Sequence, residues 1–263
     1  MKFTSKILIA LVAIALCASS VMAISPNALE GRKVLYVYGG WYGHDPEPFR
    51  DFMVPWLESE GAIVTVSNTT AIYEDRELME SVELIIQHIT MSNISGGQLR
   101  NLLGAVRRGA GIAGWHGGIG DSFRNDVGFQ FMVGGQWVAH PGNLIDYMVN
   151  VTEPNHPIMQ GIDDFMVYRT EQYYMHVSPN SRVLATTQFS GDHAWWIEGS
   201  TMPVVWVRQY GHGRVFYSSL GHVIADIENE NVLEIKKRGI RWAAESMDYV
   251  RQGRVTQWVR PVY

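Results

Sequence analysis

Apolar residues recur along this chain with two periods, and the switches between them divide it into strands and helices. Lys33–Tyr38 (KVLYVY) is a continuous β-rich run that stops at Gly39-Gly40, as a strand buried on both faces does when it opens into a loop. Phe49, Phe52, Met53, Trp56 and Leu57 follow at helical spacing, with Pro48 suited to a first turn and Pro55 predicting a kink. Ala62–Val66 and Val82–Gln87 are again strand-like. Ser95 is placed to cap a helix whose Leu99, Leu102, Leu103 and Val106 share one face, and Arg107, Arg108 and Gly109 give its end charge and a glycine. The next strand, Gly111–Gly114, delivers Trp115-His116-Gly117-Gly118.

Downstream, Tyr147–Val151, Val167–Thr170, Arg182–Thr187, Val204–Gln209 and Arg214–Ser218 are predicted strands, and Tyr210-Gly211-His212-Gly213 joins the last two as a hairpin. Asn229–Glu245 is predicted to be a helix that buries Val232, Ile235, Ile240, Trp242 and Ala243. This alternation of strand and helix predicts an α/β fold with a doubly wound, mostly parallel central sheet, whose ligands gather outside the carboxyl ends of the strands. No linker, charge block or repeat divides residues 32–246, which are taken as one domain. Residues 247–263 form a tail with too little apolar content to stand as a unit.

The amino terminus has the three parts of a secretory signal: Lys2 and Lys6, an apolar stretch from Ile7 to Cys17, and small residues at Val21-Met22-Ala23. Cleavage after Ala23 is expected, leaving residues 24–31 as a short leader and a secreted or periplasmic protein with no stable membrane insertion. The alternative is an uncleaved anchor, because only Ser19 and Ser20 interrupt the apolar character from Ile7 to Ile24. Lipidation fits poorly, since Cys17 follows Leu16 rather than a small residue. Cys17 is the single cysteine, so the mature chain can build neither a disulfide framework nor a thiolate metal site. The signal holds two of the 21 basic residues and none of the 26 acids, so the mature charge is near −7, which argues against a nucleic-acid partner. The sequons at Asn68, Asn93 and Asn150 matter only in a cell that glycosylates, and oligomeric state cannot be read from the sequence.

Gly114-Trp115-His116-Gly117-Gly118 has the form G-x-nucleophile-x-G, with histidine where serine or cysteine would stand. Glycines allow a sharp strand-to-turn reversal that exposes one side chain at the strand's carboxyl end. His44 lies in the loop after the first strand, and His140 and His222 each follow a glycine-containing motif at an expected strand or loop end. The competing role of each ring is to hydrogen-bond its own loop. Neutral imidazoles suit proton transfer near pH 7, and they equally suit a divalent metal such as zinc, which would have to be assembled by folding from His44, His116, His140, Glu171 and His222. No close-spaced ligand pair such as H-E-x-x-H occurs, and no cofactor is certain. His156-Pro157-Ile158 reads as a turn. His88, His176 and His193 carry less weight, and Asp192-His193-Ala194-Trp195-Trp196 is either a sugar-stacking surface or packing.

With the elbow, Gly134-Gly135-Gln136-Trp137-Val138-Ala139-His140-Pro141, His156-Pro157-Ile158 and Gly211-His212-Gly213-Arg214 through Gly221-His222, the chain resembles the ThuA-like (trehalose utilisation) family over about Arg32 to Ala244. The resemblance implies the class I glutamine amidotransferase-like superfamily and a flavodoxin-like three-layer α/β/α sandwich. Members that hydrolyse glutamine use a cysteine at the elbow and a histidine and glutamate after a later strand. Here His116 replaces the cysteine, and glutamate follows neither His140-Pro141 nor His156-Pro157, so amidotransfer is disfavoured. An acidic residue before a tyrosine in the family motif points to Glu171, ahead of Tyr173. The family name implies a small-molecule carbohydrate or its oxidised keto form. On that expectation His116 and Glu171 carry proton transfer, while His44, His140, His222 and Trp115 bind substrate; a metal-assisted hydrolase and a noncatalytic sugar-binding module are the alternatives.

Overall fold

The structure, a computed structural model, describes residues 23–253. The expected signal segment lies outside the described residues apart from Ala23, as does the tail beyond residue 253. Among the described residues, no helix is long and apolar enough to cross a membrane.

The first half of the chain alternates strand and helix: β1 (Lys33–Gly40), α1 (Pro46–Ser59), β2 (Ile63–Ser67), α2 (Arg76–Ser81), β3 (Leu84–Thr90), α3 (Gly96–Arg108) and β4 (Gly111–Trp115). The short helices α4 (Gly117–Gly120) and α5 (Val127–Val133) follow, then β5 (Gly135–Ala139), β6 (Leu144–Val151), β7 (Phe165–Glu171), β8 (Tyr174–Val177) and β9 (Arg182–Gln188). β10 (Thr201–Tyr210), β11 (Gly213–Ser218), α6 (Glu230–Ala244) and α7 (Ser246–Arg251) complete the chain. The main sheet runs β2-β1-β3-β4-β11-β10-β9-β6-β7. Its first five strands are parallel, in the flavodoxin order, and the rest extend it antiparallel beyond the β10–β11 hairpin.

Two apolar cores flank this sheet, which makes the three layers. On one face α1 inserts Phe49, Met53 and Leu57 and α6 inserts Val232, Ile235, Ile240 and Ala243. On the other, α2, α3 and α5 contribute Met79, Leu102, Leu103, Val106, Phe129 and Met132. Full burial of each large side chain contributes about 1.5–3 kcal/mol. Ser95 caps α3 as expected, within a reciprocal capping box: Gln98 N donates to Ser95 Oγ and Ser95 N to Gln98 Oε1, at 3.2 and 3.0 Å.

Helix α1 continues through Pro55, which lies on its exposed side, where solvent can reach the carbonyl that a proline leaves unpaired. β5 and β8, absent from the sequence reading, pair as a separate two-stranded sheet. His156-Pro157-Ile158 forms a turn without continuing into a helix; Ile158 N donates to His156 Nδ1 at 3.3 Å. Beyond residue 246 the chain does not leave the domain at once, because α7 packs back, with Ser246 Oγ accepting from Arg214 N at 2.9 Å.

Candidate functional site

The elbow forms at the end of β4, in the centre of the parallel sector. His116 has φ 48° and ψ −140°, backbone that a side chain rarely adopts and that costs on the order of 1–3 kcal/mol. Two bonds hold it: His116 N donates to Ser218 O at 2.7 Å, and Gly120 N to His116 O at 2.9 Å. Because residues on a strand alternate faces, the reversal aims His116 at the crevice and leaves Trp115 in the core. Trp115 is fully buried against Phe49 and His88. It therefore does not belong to the substrate surface where the sequence reading put it; a residue just before the apex is the one most deeply packed.

The other expected residues arrive from four separate strand ends and the loops that follow them. His44 follows β1, His140 follows β5, Glu171 ends β7 and His222 follows β11. Glu171 Oε2 is their meeting point, 3.0 Å from His116 Nε2, 3.3 Å from His222 Nδ1 and 3.9 Å from His44 Nε2. His222 Nδ1 and His116 Nε2 are 3.3 Å apart, and one ligand-type atom from each of His44, His116, Glu171 and His222 lies within 4.8 Å of all the others. A tetrahedral ion with bonds of about 2.0–2.1 Å separates its ligands by about 3.3 Å, which the spacings among His116, Glu171 and His222 match, while His44 would have to move inward to join them. His140 stands at the rim, its side chain 29% exposed, with Nε2 3.5 Å from Glu171 Oε1.

The rings are oriented by their outer nitrogens. His116 Nδ1 is 2.7 Å from Ser219 O, which can only accept, so that nitrogen carries the hydrogen. In the neutral ring Nε2 is then a lone pair directed at a carboxylate oxygen. His44 Nδ1 pairs with Thr90 Oγ1 at 3.0 Å, and its Nε2 is the nitrogen that faces Glu171. Burial pushes His116 down to about 3, helped by the neighbouring His44 and His222 and opposed by Glu171. Burial works to raise the Glu171 carboxyl, yet the imidazoles of His116, His222 and His44 around it hold it well below the usual carboxylate range.

Several supporting groups carry no sequence signal. Tyr173 stacks on His116 with centroids 4.0 Å apart and lies near-parallel to His140 with centroids 6.3 Å apart. Tyr147 Oη donates to Glu171 O at 3.2 Å, and Asp226 Oδ2 receives both His222 N at 2.8 Å and Thr170 Oγ1 at 2.6 Å. Only the doublet Tyr173-Tyr174 beside Glu171 could have flagged any of them. His88 is buried against Trp115 and Phe49, outside the cluster, and His176 is exposed on β8. Trp195 and Trp196 are 77% and 71% exposed, so they are surface and not core. Their loop touches the rim, since His193 packs on Gly142, two residues from His140.

The profile of the ThuA family, described as trehalose utilisation, matches residues 33–243. The chain belongs to the ThuA family. Solved structures agree on the fold. A ThuA-like protein from Bacteroides uniformis is similar with a TM-score of 0.67 at 16% identity, over 80% of this chain and 92% of that one. A ThuA-like protein from Parabacteroides merdae gives 0.65 at 20% identity, over 88% and 93%. A cytoplasmic protein from Salmonella typhimurium gives 0.57 at 14% identity, over 82% and 98%. No curated protein matches the chain. For this ThuA-family chain the comparisons give membership and fold, and the chemistry has to be argued from the cluster itself.

Proposed function

We propose that this ThuA-family protein is an exported, metal-dependent enzyme that acts on a carbohydrate or oxidised keto glycoside, with a divalent ion such as zinc held by His44, His116, Glu171 and His222. The observation that carries the proposal is the convergence of three imidazole nitrogens on Glu171 Oε2. A proton could relieve one lone-pair contact, but it is shared between two atoms only. A divalent ion satisfies all four. The outer hydrogen bonds to Ser219 O and Thr90 Oγ1 match the support that metal-binding histidines receive.

A bound ion would supply Lewis acidity toward a substrate oxygen or water. The chain supplies the rest. His140, partly exposed and next to Glu171, is placed to carry a proton between the cluster and a ligand at the rim. Tyr173 closes the floor beside His116. The family description favours a sugar, and two surfaces suit one. The exposed Trp195 and Trp196 offer aromatic faces. A cavity of about 320 Å³ lined by Ser92, Asn93, Arg124 and Asn125 offers hydroxyl partners. Contacts lead from this cavity to the cluster, because Arg124 lies 4.5 Å over Trp137 and Trp137 packs beside His140.

The test is elemental analysis of protein purified without an affinity tag, followed by turnover of a panel of keto-disaccharides before and after chelation. About one zinc or similar ion per chain and chelator-sensitive turnover are expected. Turnover unaffected by removal of all metal would overturn this reading and leave direct proton transfer through His116 and Glu171, which the 3.0 Å contact between them also permits. Saturable sugar binding without turnover would make the protein a binding module. Export rests on Lys2, Lys6 and the apolar run to Cys17, and is checked by sequencing the mature amino terminus.

A further inference from the structure

We propose that Lys236 is a positioning residue for this centre, setting the turn from Ser219 to His222 so that one of its groups orients His116 and another joins the cluster. The proposal rests on the metal-centre reading for its affinity readout, though not for its structural one.

Lys236 projects from α6 and is fully buried. Its Nζ donates to Leu220 O at 2.7 Å and lies 5.5 Å from the Trp115 ring. Leu220 sits between the two functional positions of the turn. Ser219 O, one residue earlier, receives the Nδ1 hydrogen of His116, and His222, two residues later, faces Glu171. The turn is built around the ammonium: Gly221 has φ 93°, and a Cβ added there would lie 2.5 Å from Nζ. Asp226 anchors the far end through His222 N. Lys236 and Asp226 thus fix the turn from both sides; burial pushes the Lys236 amine down to about 7, opposed by Asp226.

Stability alone does not account for such a residue. Sequestering an ammonium from water is costly, and apolar replacements of buried charges are often neutral or stabilising. The position of the turn gives the Nζ donor a role that methionine, of similar length, could not fill. It could pack in the same space, but it would leave Leu220 O without its donor.

The experiment uses the full chain, labelled with nitrogen-15, as wild type, Lys236→Met and Lys236→Arg. It follows two buried ring N–H signals by NMR, together with zinc affinity by chelator competition. His116 Nδ1–H reports on the turn. Trp206 Nε1–H, which donates to Val133 O at 3.0 Å on the opposite face, reports on the fold. In Lys236→Met the His116 signal should broaden or vanish while that of Trp206 stays, and zinc affinity should fall by about 10–100-fold. Lys236→Arg keeps a donor and should recover most of both. Unchanged His116 signal and zinc affinity in Lys236→Met would overturn the proposal. Loss of both ring signals together in that variant would assign Lys236 to packing and overturn it as well. If wild type binds no zinc while the His116 signal still responds selectively, the metal reading fails and the positioning role stands.

Discussion

Replacing Gly117 by alanine tests the centre without removing any of its functional groups. Gly117 opens the one-turn helix α4, backbone that alanine adopts readily. The difficulty is space. A Cβ at this position would lie 2.5 Å from His44 Cε1, 2.7 Å from His44 Nδ1 and 3.0 Å from Thr90 Cγ2. Carbon atoms normally rest about 3.5–4.0 Å apart, so the His44 ring must retreat by about 1 Å. Metal sites hold their ligand distances within about 0.2 Å, and a misplacement of about 1 Å in a catalytic constellation can cost about 100-fold in rate. Overpacking of this kind costs about 1–3 kcal/mol of stability, which a domain of this size should survive. Gly117→Ala should therefore remain folded by thermal melt, lose about 100-fold in turnover and bind zinc more weakly. Wild-type turnover and zinc affinity in a folded Gly117→Ala protein would show that His44 is not held to a working position, and the four-residue centre would lose one member.

Three further outcomes follow from the same geometry. Thr90→Val preserves shape but removes the partner of His44 Nδ1; zinc affinity should fall by about 10–100-fold, and an unchanged value in a chelator titration would count against His44 as a ligand. Trp195→Ala with Trp196→Ala should raise KM for a disaccharide and leave the melting temperature within a degree or two, because both rings are exposed; equal KM values would remove the aromatic platform. His156 is pushed down to about 4, chiefly by burial and then by Arg182, and its neutral ring accepts from Ile158 N. The unfolded chain binds that proton near the ordinary 6.5, so its contribution to stability is present above pH 6.5 and is lost as pH falls toward 4. His156→Asn should flatten the fall in denaturant stability across that window, and an unaltered slope would show that other groups carry it.

The parts of the fold that were legible are those whose pattern is local. Continuous apolar runs identified β1, β3 and β4, and the Ser95 cap and Arg107-Arg108-Gly109 stop bracketed α3 to within a residue. β5 and β8 were missed because Gly135–Ala139 and Tyr174–Val177 are short and find their partners only across distant chain. Pro55 lies within α1, on its exposed side.

The site divides along the same line. A G-x-H-x-G elbow is a local signal, and strand ends in an open α/β sheet are known to gather ligands, so His44, His116 and His222 could be nominated by position. Trp115 failed that test because alternation along β4 points adjacent residues to opposite sides; proximity to an apex in sequence is the wrong criterion for facing the crevice. Glu171 comes from β7, at the far edge of the antiparallel extension, and its neighbours give no hint that it meets a loop after β11. Thr90, Asp226 and Ser219 O act through bonds to other site groups and leave no pattern of their own. Sequence reasoning therefore finds groups that chemistry marks by type, while the atoms that select which nitrogen faces inward emerge only from the folded arrangement. Ser219 O is the clearest case: as a carbonyl it can only accept, so it puts the hydrogen of a neutral His116 ring on Nδ1 and leaves the Nε2 lone pair facing the cluster.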